Sequence, residues 1–457
     1  MASVSMLFAP REGVYASTIA AVLVMAGVMA AFALGGLDGR SGALGLAFAV
    51  IVLLGVVVSN PVSRDVFFDG QMPAAAGMLF CAALAMGVFQ LLPQKEFAVP
   101  AWAQYGLGGP SFPTLDRGAT QAEIGKLFAL GCAFLIGVSA GRERATARFT
   151  LQAGLLIGTA FIVYACVLGV WRSFATAEDW RFDGGLVGRQ NVAAAVYLWV
   201  ALSGFALIWR AVQNEPLAGL NRPQQVIALI RGAGLPAWFA FGLGLAAIML
   251  VGSRGGLLAW GVGMATFFAF DWVSKRKSTS KRADAQRTFL AIGGLVAAFV
   301  LALALFGEFM VHRLGADGMD GRGRGDLVAL YWPLFEARPW LGYGLGGFEA
   351  LHDKVTPAAR MDLAGADALH NVYLQWLIEA GLIGALAMIG AAALIIGGIA
   401  KGALTRRRDR QRLCLGLSAS VAVAFHAAFD VTLNVYPAAI LAALMLGLNW
   451  AIAHQRS

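Results

Sequence analysis

The chain is dominated by a series of apolar stretches, each long enough to cross a lipid bilayer. A membrane-spanning helix needs about 20 mostly apolar residues, and the 457-residue sequence contains twelve stretches that meet this requirement. We predict spans at 14–35, 42–59, 73–93, 123–140, 150–171, 191–211, 234–252, 255–273, 288–307, 371–400, 413–430 and 434–453. Since 59% of the residues are hydrophobic and only 13% are charged, water could not be the sole solvent of the folded chain. The sequence therefore predicts an all-α polytopic membrane protein with about twelve transmembrane helices.

Lysine and arginine are unevenly distributed among the connections between these spans. If both termini are cytoplasmic, the connections on that side carry 21 of the 35 basic residues. The densest clusters, 275–282 and 405–412, lie beside span ends, where the positive-inside rule applies most strongly. We therefore predict a multi-pass protein of the bacterial inner membrane with both termini in the cytoplasm. The net charge of +9 follows from the same bias, so we expect membrane lipids, and no nucleic acid, as its partners.

The longest connection, residues 310–369, is predicted to be a periplasmic loop between spans nine and ten. It contains six basic and eight acidic residues, so an arginine that acts here must act individually. The segment 326–340 has the apolar spacing of a short amphipathic helix on the membrane surface. Loops of this length are usually functional or partly structured. Because the chain also lacks the internal repeat of many transporters, we favour an enzyme over a transporter.

Arg254 lies between two predicted spans, in the sequence Ser-Arg-Gly-Gly at 253–256. A charged side chain at membrane depth normally faces a polar cavity or an anionic partner. The glycines would let backbone amides approach an anion at the start of the next helix. The alternative is an arginine that only extends towards the interface and holds the helix end there.

Two further arginines, Arg322 and Arg324, stand among glycines near the start of the long loop. A guanidinium group is permanently charged and can bind a diphosphate through two parallel hydrogen bonds. The alternative is that both are solvated side chains of a flexible loop. The glycines of 342–347 are expected to let the chain turn tightly back towards the membrane.

His370 and Asn371 stand where the long loop enters the tenth span. An imidazole can accept a proton from a sugar hydroxyl, or can bind a phosphate when it is protonated. Gly381 follows eleven residues later and is expected on nearly the same helical face as His370. Most single histidines at such positions are structural, but this one is placed well for chemistry.

Two weaker pairs occur near other span ends predicted to face the periplasm. His426 and Asp430 are four residues apart, so we expect them on one face of the eleventh helix, where the carboxylate could select the tautomer of the imidazole. A hydrogen bond between helices is an equally good interpretation. Arg189 and Asn191 stand at the start of the sixth span and are a weaker indication of a site.

Four segments in this order resemble the O-antigen ligase and O-antigen polymerase family. They are 253–256, Arg324 with the following 338–348, His370 with the segment to 384, and 426–430. The resemblance is good over about 180–450. It implies a GT-C-like fold in which helices one to five, residues 1–190, precede a ligase-like core at 191–457 that includes the loop 310–369.

The resemblance also implies a chemistry and a set of roles. Members transfer a glycan from undecaprenyl pyrophosphate on the periplasmic face, inverting and without a metal or other cofactor. Arg254 and Arg324 would bind the donor diphosphate, Arg322 could be a second contact, and His370 would be the general base or would stabilise the leaving group. Acceptors would be lipid A–core for a ligase, a growing O-antigen or exopolysaccharide chain for a polymerase, or a protein. A lipid-linked glycan transporter is the alternative from another class.

Overall fold

The computed structural model describes residues 15–34, 40–60, 72–100, 112–176, 190–214, 222–275, 320–356 and 368–455. Within these ranges the chain forms fourteen α-helices and a short 3₁₀-helix, Lys95–Phe97, and no strand. The helices are α1 Tyr15–Ala33, α2 Arg40–Ser59, α3 Ala74–Gln90, α4 Arg117–Gly141, α5 Arg144–Thr176, α6 Gln190–Asn214, α7 Arg222–Ala233, α8 Leu235–Val251, α9 Arg254–Lys275, α10 Asp320–Ala337, α11 Phe348–Val355, α12 Val372–Thr405, α13 Arg410–Ala427 and α14 Tyr436–His454. The prediction of an all-α membrane protein is confirmed.

The number of spans supported by length and composition is smaller than twelve. Among the described helices, eight are long and apolar enough to cross a membrane: α1, α2, α4, α5, α6, α9, α12 and α14. Helices α7 and α8 meet at 89° and could together form a ninth. Helix α3 is apolar but only 17 residues long, and α13 begins with Arg410 and Arg412. The predicted ninth span, 288–307, lies outside the described residues, so twelve spans and a loop on the periplasmic side stay predictions.

Helix α6 is the most central of the described candidate spans, because 94% of its apolar stretch is buried by other parts of the protein. Tight packing around it depends on small residues, because glycines allow two membrane helices to approach closely. The contact of α6 with α8 is an example: a Cβ added at Gly204 would lie 2.7 Å from the carbonyl oxygen of Ala237. The first turn of α6 is also held within the bundle, because Val192, Ala193 and Ala194 are fully buried.

One end of the bundle collects the connections that were predicted to be cytoplasmic. Arg144, the first residue of α5, forms an ion pair with Asp409, just before α13, at 3.0 Å between Nε and Oδ2. The side chain of Gln455, after α14, donates a hydrogen bond of 2.7 Å to the carbonyl oxygen of Gly141. We call this the basic end, defined by Arg148, Arg210 and Arg412. The clustering agrees with the relative topology predicted from the charge distribution.

The opposite end, which we call the loop end, carries the first residues of α6, α9 and α12 together with α10 and α11. The predicted amphipathic helix is confirmed, because α10 buries Leu327 and Tyr331 while Val328 and Trp332 are exposed. Arg338 then fastens the loop. It donates hydrogen bonds to the carbonyl oxygens of Phe97, Ala98 and Gly342 at 2.8, 2.7 and 2.9 Å.

Helix α12 is broken at Gly381, which has φ 63° and ψ −174°. The amide of Leu382 donates to the carbonyl oxygen of Pro339 at 2.7 Å instead of continuing the helix. The carbonyl oxygens of Ile378 and Glu379, freed by the break, accept from the amides of Tyr343 and Gly344, both at 2.9 Å. The predicted tight turn is confirmed by positive φ at Gly342, Gly344 and Gly346. The expectation that His370 and Gly381 share one helical face is wrong, because His370 lies before α12, which begins at Val372, and has a non-helical φ of 52°.

We expect Gly381→Ala to destabilise the protein on the order of 3 kcal/mol, because the φ/ψ pair at this position is accessible essentially to glycine only. An added Cβ would also lie 2.2 Å from the carbonyl oxygen of Trp340. The matched control is Gly397→Ala in the same helix, where nothing lies within 4 Å of the added Cβ. Thermal unfolding in detergent should give a lower Tm for the first variant and an unchanged or slightly higher Tm for the second. Equal Tm values would contradict this role of Gly381.

Candidate functional site

The segment 253–256 forms the junction between α8 and α9 at the loop end. Gly252 caps the C-terminus of α8 with a left-handed φ of 71°. The hydroxyl of Ser253 then caps α9 by accepting a hydrogen bond from the amide of Gly256 at 2.9 Å. Arg254 is the first residue of α9, and its side chain is exposed. A Cβ added at Gly255 would lie 3.3 Å from Nε2 of His426. The absence of a side chain at Gly255 therefore brings the Arg254 turn directly against this histidine.

His370 is held in an unusual backbone conformation just before α12. Its φ is 52°, a left-handed value that non-glycine residues rarely adopt. Both neighbours are fixed: Leu369 is buried and donates its amide to Gln375 Oε1 at 3.2 Å. Asn371 caps α12 by accepting from the amide of Leu374 at 3.0 Å. Strained residues of this kind concentrate at functional sites, where the surrounding structure holds them.

The imidazole of His370 faces a buried carboxylate. Its Nδ1 lies 3.9 Å from Oδ2 of Asp430, while 37% of the His370 side chain is exposed. Asp430 is only 2% exposed and accepts a hydrogen bond of 2.6 Å from Nδ2 of Asn191. The carboxylate thus orients one ring nitrogen of His370, and the exposed part of the ring lies away from that nitrogen.

Asp430 is ionised in spite of its burial. Burial by itself raises the pKa of this carboxyl. The imidazoles of His370 and His426 and the amide of Asn191 together lower it by more than burial raises it. The net pKa lies below the ordinary value for aspartate. The group is therefore negatively charged throughout the neutral range, and it can stabilise a positive charge that forms on His370.

His426 and Asp430 are close enough to interact electrostatically, but they do not share one face of a helix as expected. Helix α13 ends at Ala427, so Asp430 lies in the following turn and faces Asn191 and His370. His426 is 1% exposed, and its Nδ1 lies 2.7 Å from the hydroxyl of Thr432. The hydrogen-bond partner of this ring nitrogen is therefore a hydroxyl, which can donate or accept and so does not fix the tautomer of His426. The four-residue spacing identified two residues of the cluster, but it predicted the wrong partner for Asp430, because the helix ends between His426 and Asp430.

Three helix N-termini converge on this cluster. Asn191 is in the first turn of α6, Arg254 begins α9, and Asn371 caps α12. The N-terminus of a helix carries a partial positive charge and presents unpaired amides. Convergence of three such ends beside Arg254 favours binding of an anionic group at the loop end.

Several predicted residues are placed only in part. Arg189 lies outside the described residues. The backbone of Arg322 and Arg324 is helical, in the first turns of α10, so a flexible loop at these two positions is wrong. Their side chains are beyond the described part of the structure, and their proposed contact with a diphosphate stays a prediction.

The sequence did not point to a polar network beneath His370. The carboxyl of Glu379 is 5% exposed and accepts hydrogen bonds from Gln375 Nε2 and from the amides of Gly346 and Phe348, at 3.0, 3.0 and 3.3 Å. Gln375 Oε1 in turn accepts from Asn434 Nδ2 at 2.6 Å. This network joins α12, the turn of the long loop and the turn after α13. The available signal was the four-residue spacing of Gln375 and Glu379 within an apolar helix, where polar residues are costly unless they are paired.

The fold and this cluster define a class: a polytopic helical membrane protein with a polar, anion-favouring site at one end of its bundle. Residues 239–389 match the family described as O-Antigen ligase. This match covers part of the chain and supports its resemblance to the O-antigen ligase and polymerase family. None of the curated proteins shows significant similarity to it. The matched segment includes Arg254, Arg322, Arg324, His370 and Asn371. Asn191, His426 and Asp430 lie outside it and meet His370 or the Arg254 turn in the tertiary structure.

Proposed function

We propose that this protein is a periplasmic-face glycosyltransferase of the O-antigen ligase type. It would transfer a glycan from undecaprenyl pyrophosphate to lipid A–core, with inversion at the anomeric carbon and without a metal ion. The observation that carries the proposal is the partly exposed imidazole of His370, which lies in the matched segment 239–389 and has its Nδ1 3.9 Å from the buried carboxylate of Asp430. Distances of this kind often shorten when substrate binds.

His370 is the proposed general base. The acceptor hydroxyl oxygen attacks the anomeric carbon of the donor, and its proton passes to Nε2 of His370. The bond between the anomeric carbon and the diphosphate oxygen breaks, and the electron pair leaves with the undecaprenyl diphosphate. Asp430 stabilises the imidazolium that forms, because its carboxylate lies on the Nδ1 side.

The leaving diphosphate gains negative charge, and cations at the loop end would stabilise this charge. Arg254, at the positive end of α9, is the first of these. Arg324 is the second and Arg322 a further contact. Preorganised positive groups in a water-poor site stabilise such a charge without reorganisation.

A reconstitution assay with three acceptors distinguishes the reactions that this chemistry permits. Purified protein is supplied with an undecaprenyl-pyrophosphate glycan and with core lipid, with further donor, or with an acceptor protein. A product on core lipid supports the ligase. A longer lipid-linked glycan, or a glycosylated protein, assigns the same site to a polymerase or a protein glycosyltransferase. No transfer in any arm, with substrate-dependent accessibility changes at the basic end, would replace the proposal by a transporter.

We expect Asp430→Asn to lower kcat by about 10- to 100-fold with little change in KM, because the charge acts on the imidazolium formed during transfer. Asn191 can still donate a hydrogen bond to the amide oxygen, so folding should be preserved. The matched control is Asp326→Asn, on α10. An increase in KM with unchanged kcat would show that Asp430 only shapes the substrate site.

A further inference from the structure

A cavity of about 370 Å³ lies at the basic end, far along the bundle from the His370 cluster. It is enclosed by the first turns of α5 and α13, the last turns of α6 and the end of α7. Among the described residues of its lining, the charged ones are Arg148, Arg210 and Arg412, and none is a carboxylate. None of these arginines is needed for the proposed glycosyl transfer.

The positive charge of this cavity is only partly balanced by neighbouring groups. Asp409 pairs with both Arg144 and Arg412, but it lies outside the lining. Arg148 and Arg210 have no acidic partner among the described residues, and both are exposed. Arg412 is additionally repelled by Arg210, Arg148 and Arg144. Like charges held near one another repel, and an anion bound between them would relieve this repulsion.

The lining is divided along its depth into a charged and an apolar part. On α5, Arg148 is followed at helical spacing by Leu151 and Leu155 on the same face. On α6, Leu207 precedes Arg210 on the lining face, further from the basic end. The arginines therefore lie at the outer rim. The part that extends from it towards the centre of the bundle is mainly apolar, with Gln152 and Ser203 as its polar residues. A free inorganic anion would use only the rim, whereas a lipid would use both parts.

We propose that this cavity binds an anionic phospholipid, with its phosphate between Arg148, Arg210 and Arg412 and part of an acyl chain along Leu151 and Leu155. Basic pockets between membrane helices on the cytoplasmic side are suited to such headgroups. The bound lipid connects α5, α6 and α13. The opposite ends of these helices, or the helices packed beside them, position the residues of the loop end. It acts as a structural ligand and takes no part in the chemistry.

The first experiment measures lipid retention and thermal unfolding of the full-length protein in neutral detergent. The probes are cardiolipin, phosphatidylglycerol, phosphatidylcholine and inorganic phosphate. We expect the two anionic lipids to be retained in native mass spectra and to raise Tm, and the other two probes to do neither. A rise in Tm with inorganic phosphate equal to that with the anionic lipids would overturn the assignment of a lipid.

The variants Arg148→Gln and Arg210→Gln, combined, should bind the anionic lipids about 30-fold more weakly, because each basic residue near such a lipid contributes about 1 kcal/mol. The matched control combines Arg407→Gln and Arg408→Gln, two exposed arginines at the same end that do not line the cavity. Equal losses in both double variants would mean a general surface attraction and would contradict a specific site.

A third measurement uses the unaltered protein, so that it does not depend on folding of a variant. A photoactivatable phosphatidylglycerol with its reactive group in the acyl chain is expected to label residues 148–155 and 203–214. Labelling confined to other helices would overturn the proposal.

Discussion

Replacing His370 by alanine is expected to lower the rate of glycan transfer by about 10²- to 10⁴-fold, the usual contribution of a general base. The reason is local: the ring is partly exposed, and its Nδ1 faces the ionised Asp430. Without the imidazole, the acceptor proton has no positioned acceptor. The effect should fall on kcat, measured with purified protein, lipid-linked donor and core lipid.

Two controls separate chemistry from folding. His370→Gln keeps a polar side chain of similar reach but cannot accept a proton at neutral pH, so it should be as inactive as the alanine variant. His454→Gln alters a histidine at the basic end, where the ring stacks on Trp450, and should retain full activity. If His370→Gln transfers glycan at the normal rate while its elution profile and Tm are unchanged, His370 is not the base.

Arg254→Ala should reduce transfer by about 10²- to 10³-fold, similar to the loss of one group that stabilises a developing anion. Arg254 begins α9, so its charge adds to the positive end of that helix. Its neighbour Gly255 contacts the ring of His426, which places the Arg254 turn beside the His370 and Asp430 cluster. Donor binding and kcat should both suffer, because the diphosphate is present in the substrate and becomes more negative as it leaves.

Arg254→Lys tests whether charge is sufficient. Lysine keeps the charge but loses the two-pronged geometry, so partial activity is expected. Arg231→Ala removes an exposed arginine from α7 and is the matched control for lost charge. Wild-type rates for Arg254→Ala, with donor saturating at the usual concentration, would show that this arginine only holds the helix end at the membrane interface.

Hydropathy predicted well which stretches are helical. It predicted less well which of these helices are long and apolar enough to cross a membrane. Each of the eleven predicted spans within the described residues corresponds to a helix. Helix α13 nevertheless starts with charged residues at the basic end, and α7 meets α8 at 89°. An apolar stretch is helical because its backbone must be hydrogen-bonded away from water. Its tilt and its exact crossing depend on packing against neighbours, which hydropathy does not contain.

The candidate site shows the same division. Arg254, His370 and Asn371 could be selected from the sequence because charged and polar residues at span ends are uncommon. The residues with which they interact could not be selected in this way. Asp430 was expected to act on His426, yet it accepts from Asn191 and faces His370, since α13 ends before it. Gln375 and Glu379 were overlooked because their partners come from the long loop and from the turn after α13.

The sequence by itself determined the solvent, the helical class and the resemblance to a family, because each of these depends on composition, on apolar length or on short motifs. It also located the residues most suited to bind a diphosphate or to accept a proton. The tertiary structure decided which of them meet: it broke α12 at Gly381, ended α13 at Ala427 and brought Asn191, distant in sequence, to Asp430. Contacts between residues far apart in the chain depend on how whole helices pack, and no local pattern in the sequence specifies them.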